Sequence, residues 1–458
     1  MPPVTDTPFS KLRPVSMPRD ARPIMKFTGE LANAIEQHLS AASDGRWDVP
    51  VDVKLDPRNP ESLAHWLYKS INPVAKGGGR AGVDIEALLK PFRKTRFDLL
   101  PADFAVEAEI SMSASGDLMC TPGLDGAKDR LFQSVDDLIF GADISYANLE
   151  STLTTEEVEP TEFTAESTPK INLTPMQYET VVSHKGRRFD VVHLANNHIL
   201  DCGEEGILTT LARLDQDGIS QVGVNRTKED AERPRVIEIK GLRIGWVAHT
   251  FSVNFKPFPQ DKPWIVNMTP FHLEPDPDIS PIELQIQACR DAGCDLVVVA
   301  LHWGLEFELH PHPQQVEWAH RFAEAGADLV IGHHPHVPQP AEIYRPAVYP
   351  DRAVPILYSL GNLSTLLSHP AMALSLIARI GIAKGNYRGE PVTRIASLEL
   401  VPVGLVAEDD GGREITRLVP LTQLDSGVSD GPMRGYVDEM AYYAGVVVGD
   451  DWRVDGPV

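Results

Sequence analysis

Two related phrases in the middle of the chain constrain its fold more than anything else in the sequence. They are Asp295-Leu-Val-Val-Val-Ala-Leu-His302 and Asp328-Leu-Val-Ile-Gly-His-His-Pro-His336. Each is a short apolar run rich in β-branched residues, which reads as a buried strand with polar residues at its carboxyl end. Helical patterns at Pro281–Asp291 and Pro313–Ala325 each feed one of these strands. Ligands in open α/β sheets gather at the carboxyl edge of the strands. Neutral imidazoles presented there from separate strands suit a divalent metal. One histidine at such a place is ordinarily a surface or capping residue; the repeat on two strands is what points to a metal.

Other apolar runs end in the same way. Ile110-Ser-Met-Ser-Ala-Ser-Gly116-Asp117 closes on an aspartate. Asp143-Ile-Ser-Tyr-Ala-Asn148-Leu149-Glu150 brings an amide and a carboxylate two residues apart, on one face of extended backbone. Phe189-Asp-Val-Val-His-Leu-Ala-Asn-Asn197-His198 ends in an amide and an imidazole, and Gly361-Asn362 follows Pro355-Ile-Leu-Tyr-Ser-Leu. A lone aspartate at a strand end is usually a helix cap. The recurrence of polar endings on so many strands is the stronger signal.

The motifs Gly116-Asp117, Ala147-Asn-Leu-Glu150, Ala195-Asn-Asn-His-Ile-Leu-Asp-Cys-Gly203, Leu301-His-Trp-Gly-Leu-Glu306, Gly332-His-His-Pro-His336 and Tyr358-Ser-Leu-Gly-Asn362 stand in this order. Together they resemble the CapA family of poly-γ-glutamate capsule-synthesis proteins, relatives of the calcineurin-like metallophosphoesterases. The resemblance covers roughly residues 107 to 365. It implies an α/β fold, a metallophosphoesterase-like sandwich of two mixed β-sheets flanked by helices, with a metal site at the strand ends. It does not by itself fix the reaction.

Within that frame the metal candidates are Asp117, Glu150, Asn197, His302, His334 and His336. If His334-Pro335-His336 is extended, its outer histidines share a face and His333 points the other way, to a supporting position. Oxygen and nitrogen donors without thiolate favour one or two ions of manganese, iron or zinc. Glu150 is the candidate bridging carboxylate, with Asp117 as the alternative. Metallophosphoesterases carry a histidine two residues after the first aspartate, whereas this chain has Met119 there. A thioether is a poor ligand for hard ions, so one metal position is short of a donor. In related phosphoesterases the Asn-His pair supplies a metal ligand and an acid for the leaving group, which gives Asn197 and His198 those roles. Asp201 is placed to orient the His198 imidazole, or to cap the next helix. Glu306 is a third candidate for proton transfer or metal binding.

A net charge of −23 excludes nucleic acid and anionic membrane as general partners, since both require basic patches. It leaves room for an anionic substrate at a metal. Four cysteines without a Cys-x-x-Cys pair indicate a reducing compartment. Cys289 and Cys294 read as packing residues, and Cys202 adjoins a motif. The amino terminus lacks a signal-peptide pattern, and no stretch approaches a membrane span. The expected location is the cytoplasm.

The chain divides into a proline-rich arm (1–24), an extension of unknown role (25–106), the core (107–371), and carboxyl-terminal strands with a tail packing on the core (372–458). Helical spacing covers Phe27–Ala42 and Asp84–Phe92, and Lys76-Gly-Gly-Gly-Arg-Ala-Gly reads as a flexible connection rather than a phosphate loop. A helix is expected over Gly203–Gly218 with Ile207, Leu208, Leu211 and Leu214 inward, then a strand at 219–224. A hairpin is expected around Lys240-Gly241, and strands at Leu376–Ile382 and Ile395–Val401. Residues 254–280 are either a substrate lid or a packed insertion.

Three functions fit these residues. The first is hydrolysis of a phosphoester or amide by metal-bound water, with His198 as acid/base. The second is exchange of an α-proton by a metal-dependent peptide epimerase, an activity of CapA-like proteins in lasso-peptide pathways. The third is a non-catalytic accessory role in polyglutamate synthesis. The expected partner is a small-molecule or peptide substrate, with the extension available to a protein partner. Serine-nucleophile and hydride-transfer chemistry have no matching motif.

Overall fold

The computed structural model describes residues 9–51, 59–80, 83–154 and 170–453. Two mixed sheets face one another. The first runs through the strands Ser220–Val222, Val191–His193, Ile144–Leu149, Ala105–Leu118, Leu374–Tyr387 and Glu390–Asp410. Its first four strands are parallel neighbours and the rest antiparallel. The second sheet has the order Arg235–Ile239, Leu242–Thr250, Leu296–His302, Leu329–His333, Val354–Leu357 and Ala341–Tyr344. Its four central strands are parallel, and both edge strands are antiparallel.

The continuous apolar runs are explained by burial on both faces. In the second sheet Trp246, Val298, Ala300 and Ile331 pack toward the first sheet, into a core that also holds Ala114, Tyr146 and Val192. Their neighbours Val247, Val299, Leu301 and Val330 pack the other way, with Ile282, Ile286, Trp318 and Phe322 of the helices Ser280–Asp291 and Pro313–Ala325. The parallel strands therefore deliver their carboxyl ends to one edge, where the two sheets meet.

Most predicted elements are present, with some corrections. Helix Gly203–Asp217 buries Ile207, Leu211 and Leu214, but Leu208 is exposed, because the apolar stripe is narrower than the run of aliphatic residues. In the glycine-rich stretch read as a flexible connection, Gly79–Arg80 pairs with Val83–Asp84, and residues 81–82 lie outside the described residues. The strands expected at 376–382 and 395–401 are the middles of the much longer Leu374–Tyr387 and Glu390–Asp410. A further strand, Arg413–Pro420, continues this antiparallel region. Residues 254–280 are largely packed insertion: Val266 bridges Val224, and Phe271 lies buried between Trp303 and Trp318. The tail forms helix Gly431–Val448, with Tyr436 and Tyr443 inward and Tyr442 exposed.

The amino-terminal residues join this body. Leu12–Arg13 adds a short strand to Glu390–Asp410. Helices Gly29–Ala41 and Pro60–Ile71 pack together, the second capped by the Asn59 side chain on Glu61 and Ser62 N–H groups. Val74 exchanges backbone hydrogen bonds with Phe307 and Leu309, which anchors the extension beside the histidine-bearing strands.

Candidate metal centre

The strand ends place the sequence candidates in one buried cluster. Asp117 follows Gly116, whose close approach to Gly361 leaves no room for a side chain: a Cβ there would lie 2.0 Å from the Gly361 carbonyl oxygen. Asp117 N–H donates to that same oxygen at 2.9 Å, which ties the motifs Gly-Asp and Gly-Asn together. Asp117 Oδ1 accepts from Asn148 Nδ2 at 2.8 Å and lies 2.9 Å from His333 Nδ1. His333 in turn reaches the Tyr146 hydroxyl through Nε2 at 2.9 Å. His333 thus supports the aspartate from behind.

Across from Asp117 stand Glu150, His302 and the His334–His336 loop. His302 Nε2 is 2.9 Å from Asn197 Oδ1 and 3.4 Å from Glu150 Oε1. His336 Nδ1 is 3.0 Å from Asn362 Oδ1, while its Nε2 lies 3.4 Å from Glu306 Oε1 and 3.9 Å from Glu150 Oε1. Three overlapping sets of side chains present ligand atoms within 4.8 Å of one another: Glu150/His302/His334, Glu306/His334/His336 and Asp117/Glu150/His336. Glu306, expected as a catalytic or metal-binding residue, falls inside this cluster.

The reason given for choosing His334 and His336 is corrected by the backbone. The segment is not extended: His334 has φ 97° and His336 φ 58°. Both histidines reach the cluster because the chain turns through left-handed conformations. These are costly for residues with a Cβ and concentrate at functional sites. Asn254, Phe255 and Phe307 at the rim also have positive φ.

The electrostatics suit a divalent cation. Burial, aided by the Asp117 charge, pushes the Glu150 carboxyl well above the ordinary range, and its Oε1 has no hydrogen-bond partner. Burial also opposes ionisation of Asp117, but the His333 hydrogen bond and charge, then those of His336 and Asn148, hold it below the usual value. Burial drives His302 well below its normal pKa and His334 down to about 3, and His334 Nδ1 is unpartnered. Both therefore present neutral imidazoles, the form that ligates metals. Burial works against charge on Glu306 and His336 alike, yet their mutual hydrogen bond lowers Glu306 to about 2 and raises His336. A buried carboxylate oxygen and an imidazole nitrogen, both unpartnered beside neutral histidines, fit a divalent ion by donor type and by satisfaction.

His198 stands beside the cluster. Its Nδ1 lies 2.6 Å from Asp201 Oδ2, which also accepts from the Ile171 N–H at 2.8 Å. Asp201 therefore orients the imidazole and leaves Nε2 toward the cavity, where Asn254 Nδ2 is 3.5 Å away. Met119 lines the same cavity with a buried side chain, in place of a donor. Cys202 lies outside the residues that line it.

Sequence reasoning missed several contributors. Asn196 holds the Asn-His turn, donating to Leu149 O at 2.8 Å and accepting from His198 N–H at 3.2 Å. Asn254 accepts from Asn197 Nδ2 at 3.2 Å. Trp66 donates through Nε1 to Glu306. Asn196 was visible within a quoted motif. Asn254 and Trp66 lie in segments without a local signal, a proline-rich insertion and an amphipathic helix.

Two facing mixed sheets with a histidine–carboxylate cluster at their shared carboxyl edge define a metallophosphoesterase-like protein with a candidate metal centre. Residues 111–365, more than half of the chain, match the family described as bacterial capsule synthesis protein PGA_cap. The chain belongs to this family. It is 32% identical over 235 residues to the PGA biosynthesis protein CapA of Bacillus subtilis, covering 51% of this chain and 56% of that protein. It is also 32% identical over 188 residues to the capsule biosynthesis protein CapA of Bacillus anthracis, covering 40% and 42%. A probable polyglutamine synthesis accessory protein of Mycobacterium tuberculosis is 32% identical over 227 residues, covering 48% and 55%. The chain spans about half the length of the curated relatives it matches. Among the described residues, no helix is long and apolar enough to cross a membrane.

Proposed function

We propose that this chain is a metal-dependent enzyme that hydrolyses a phosphoester or amide bond, with His198 as acid/base. The observation that carries this reading is the pairing of an unsatisfied, buried histidine–carboxylate cluster with an oriented His198–Asp201 dyad on one cavity. Asp117, Glu150, Asn197, His302, His334 and His336 would hold one or two ions of manganese, iron or zinc. A divalent ion held there supplies Lewis acidity, polarising a substrate oxygen and lowering the pKa of water. Asp201 accepts from Nδ1 and so leaves Nε2 of His198 as the atom that takes up a proton and returns it to the leaving group. Burial of the cluster excludes bulk water and strengthens each charge interaction.

A second reading, α-proton exchange on a peptide, is favoured by one observation. Two separately held proton carriers line the same cavity: His198 on Asp201, and Glu306 on Trp66 and His336. The relatives named as accessory proteins supply a third, non-catalytic reading, in which the protein would act in the reducing cytoplasm beside a synthase.

The deciding experiment combines metal analysis with two assays. Metal-replete protein is expected to hold about one to two equivalents of manganese, iron or zinc per chain. It is then screened against phosphoesters and amides, and against peptides in heavy water for α-deuterium incorporation. Hydrolysis abolished by His198→Ala supports the leading reading; deuterium uptake without hydrolysis transfers support to the second. A metal-replete protein inactive in both assays, and unaffected in its partner complex by His198→Ala, leaves the accessory role.

A further inference from the structure

We infer that the substrate of this site carries an apolar group next to the oxygen that faces the metal cluster, and is not a run of polyglutamate. The inference rests on the metal-dependent reading above and specifies its substrate class.

The cavity over the cluster has a volume of about 210 Å³. Its polar lining includes Glu306, His334 and His336 of the cluster and, from helix Pro60–Ile71, Ser62, His65 and Lys69. The larger part of its surface is apolar and includes Ile24, Leu63, Phe251, Phe255, Phe307 and Leu367. Ile24 and Leu63 come from the amino-terminal residues, outside the stretch 111–365 that matches the family. The extension thus closes an apolar chamber onto the histidine–carboxylate floor.

Charge decides against a polyanion. Among the described residues that line the cavity, Lys69 is the single lysine or arginine. Its Nζ lies 2.7 Å from Glu308 Oε1, and both side chains are buried, so this cation is already matched. Each residue of polyglutamate brings a carboxylate. One can face the metal cluster, but its neighbours would lose water against phenyl and aliphatic walls, beside Glu306. Burying an unpaired charge is strongly unfavourable. An apolar group in the same space is instead favoured in proportion to the area it removes from water. The net charge of −23 adds a general repulsion.

The test uses three hydroxamates, which chelate hard divalent ions through two oxygens and differ only in the attached group. Manganese-loaded full-length protein is titrated calorimetrically with acetohydroxamate, phenylacetohydroxamate and succinate monohydroxamate. Phenylacetohydroxamate is expected to bind about tenfold tighter than acetohydroxamate, and the anionic compound no tighter than acetohydroxamate. Leu63→Asn is expected to erase most of the phenyl preference with metal content unchanged. Phe255→Ser serves as a second variant, because Phe255 is 61% exposed and its loss spares the fold. Tighter binding of the anionic compound, or no gain from the phenyl group, overturns the inference while the metal site stands. If the protein takes up no metal, the metal-dependent reading falls by itself. The ranking is then taken by ligand-observed NMR with phenylacetamide, acetamide and succinamate, where equal or reversed affinities overturn the apolar chamber too.

Discussion

The floor and the wall of the cavity are made from opposite materials. The floor is a set of charged and amide side chains at strand ends, each almost wholly buried: Asp117, Glu150 and His302 are at 0% exposure. Its members touch one another and leave Glu150 Oε1 and His334 Nδ1 without partners. The wall is mainly apolar, with Leu63 and Trp66 of Pro60–Ile71 beside the loop residues Phe251, Phe255 and Phe307, and its buried Lys69 is neutralised by Glu308. A charged cluster that cannot satisfy itself is poised for a ligand, whereas a mainly apolar surface is poised to select among ligands. Changes to the floor should therefore remove metal, and changes to the wall should alter stability or selectivity while metal stays.

The largest effect belongs to the floor. His334→Ala/His336→Ala is expected to abolish stoichiometric metal binding, read by plasma mass spectrometry, and with it all turnover. Retention of a full complement would break the comparison at its centre. Next comes His198→Ala, expected to lower kcat by about 10² to 10⁴-fold with metal content unchanged. Asp201→Asn should cost less, about 10- to 100-fold, because the imidazole remains but loses its orienting acceptor. Loss of metal from either variant would mean that the dyad belongs to the floor rather than standing beside it.

The wall is tested by stability. Glu308→Gln leaves Lys69 buried without its carboxylate and is expected to cost about 3–5 kcal/mol in denaturant unfolding, with metal retained. A smaller effect comes from His65, on the same helix. Burial, helped by the Lys69 charge, lowers its pKa from 6.5 to about 3, so it is neutral in the folded protein. Below pH 6.5 the unfolded chain binds a proton there that the folded chain does not, and stability falls as pH falls toward about 3. Between pH 7.5 and 4.5 this amounts to about 2–3 kcal/mol. His65→Gln should remove that part of the acid sensitivity, measured as the difference in unfolding free energy between the two pH values. An unchanged pH slope would show that His65 does not carry it.

The floor was largely legible because its signals are local. A strand's apolar run and the polar residues at its end occupy adjacent positions, so Asp117, Glu150, Asn197, His302, His334 and His336 could be picked out one strand at a time. The wall gave no such signal. Trp66 sits on a helix whose spacing explains its burial without implying any contact to Glu306, and Asn254 lies in an insertion with no periodicity. The misjudged lengths of the carboxyl-terminal strands have a related cause. Along Glu390–Asp410 the burial alternates unevenly, since the strand pairs with different partners along its length.

The sequence by itself determined that apolar strands end in side chains of metal-ligating type, because side-chain polarity and β-periodicity are properties of neighbouring residues. Only the tertiary structure decided how those ends meet. The facing of the two sheets brings His333 behind Asp117, and the left-handed turns at His334 and His336 aim both rings inward. Packing of Pro60–Ile71 against Phe307 and Glu308 sets an apolar wall over the cluster. These are contacts between residues far apart in the chain, fixed by the burial of shared surface rather than by any local pattern.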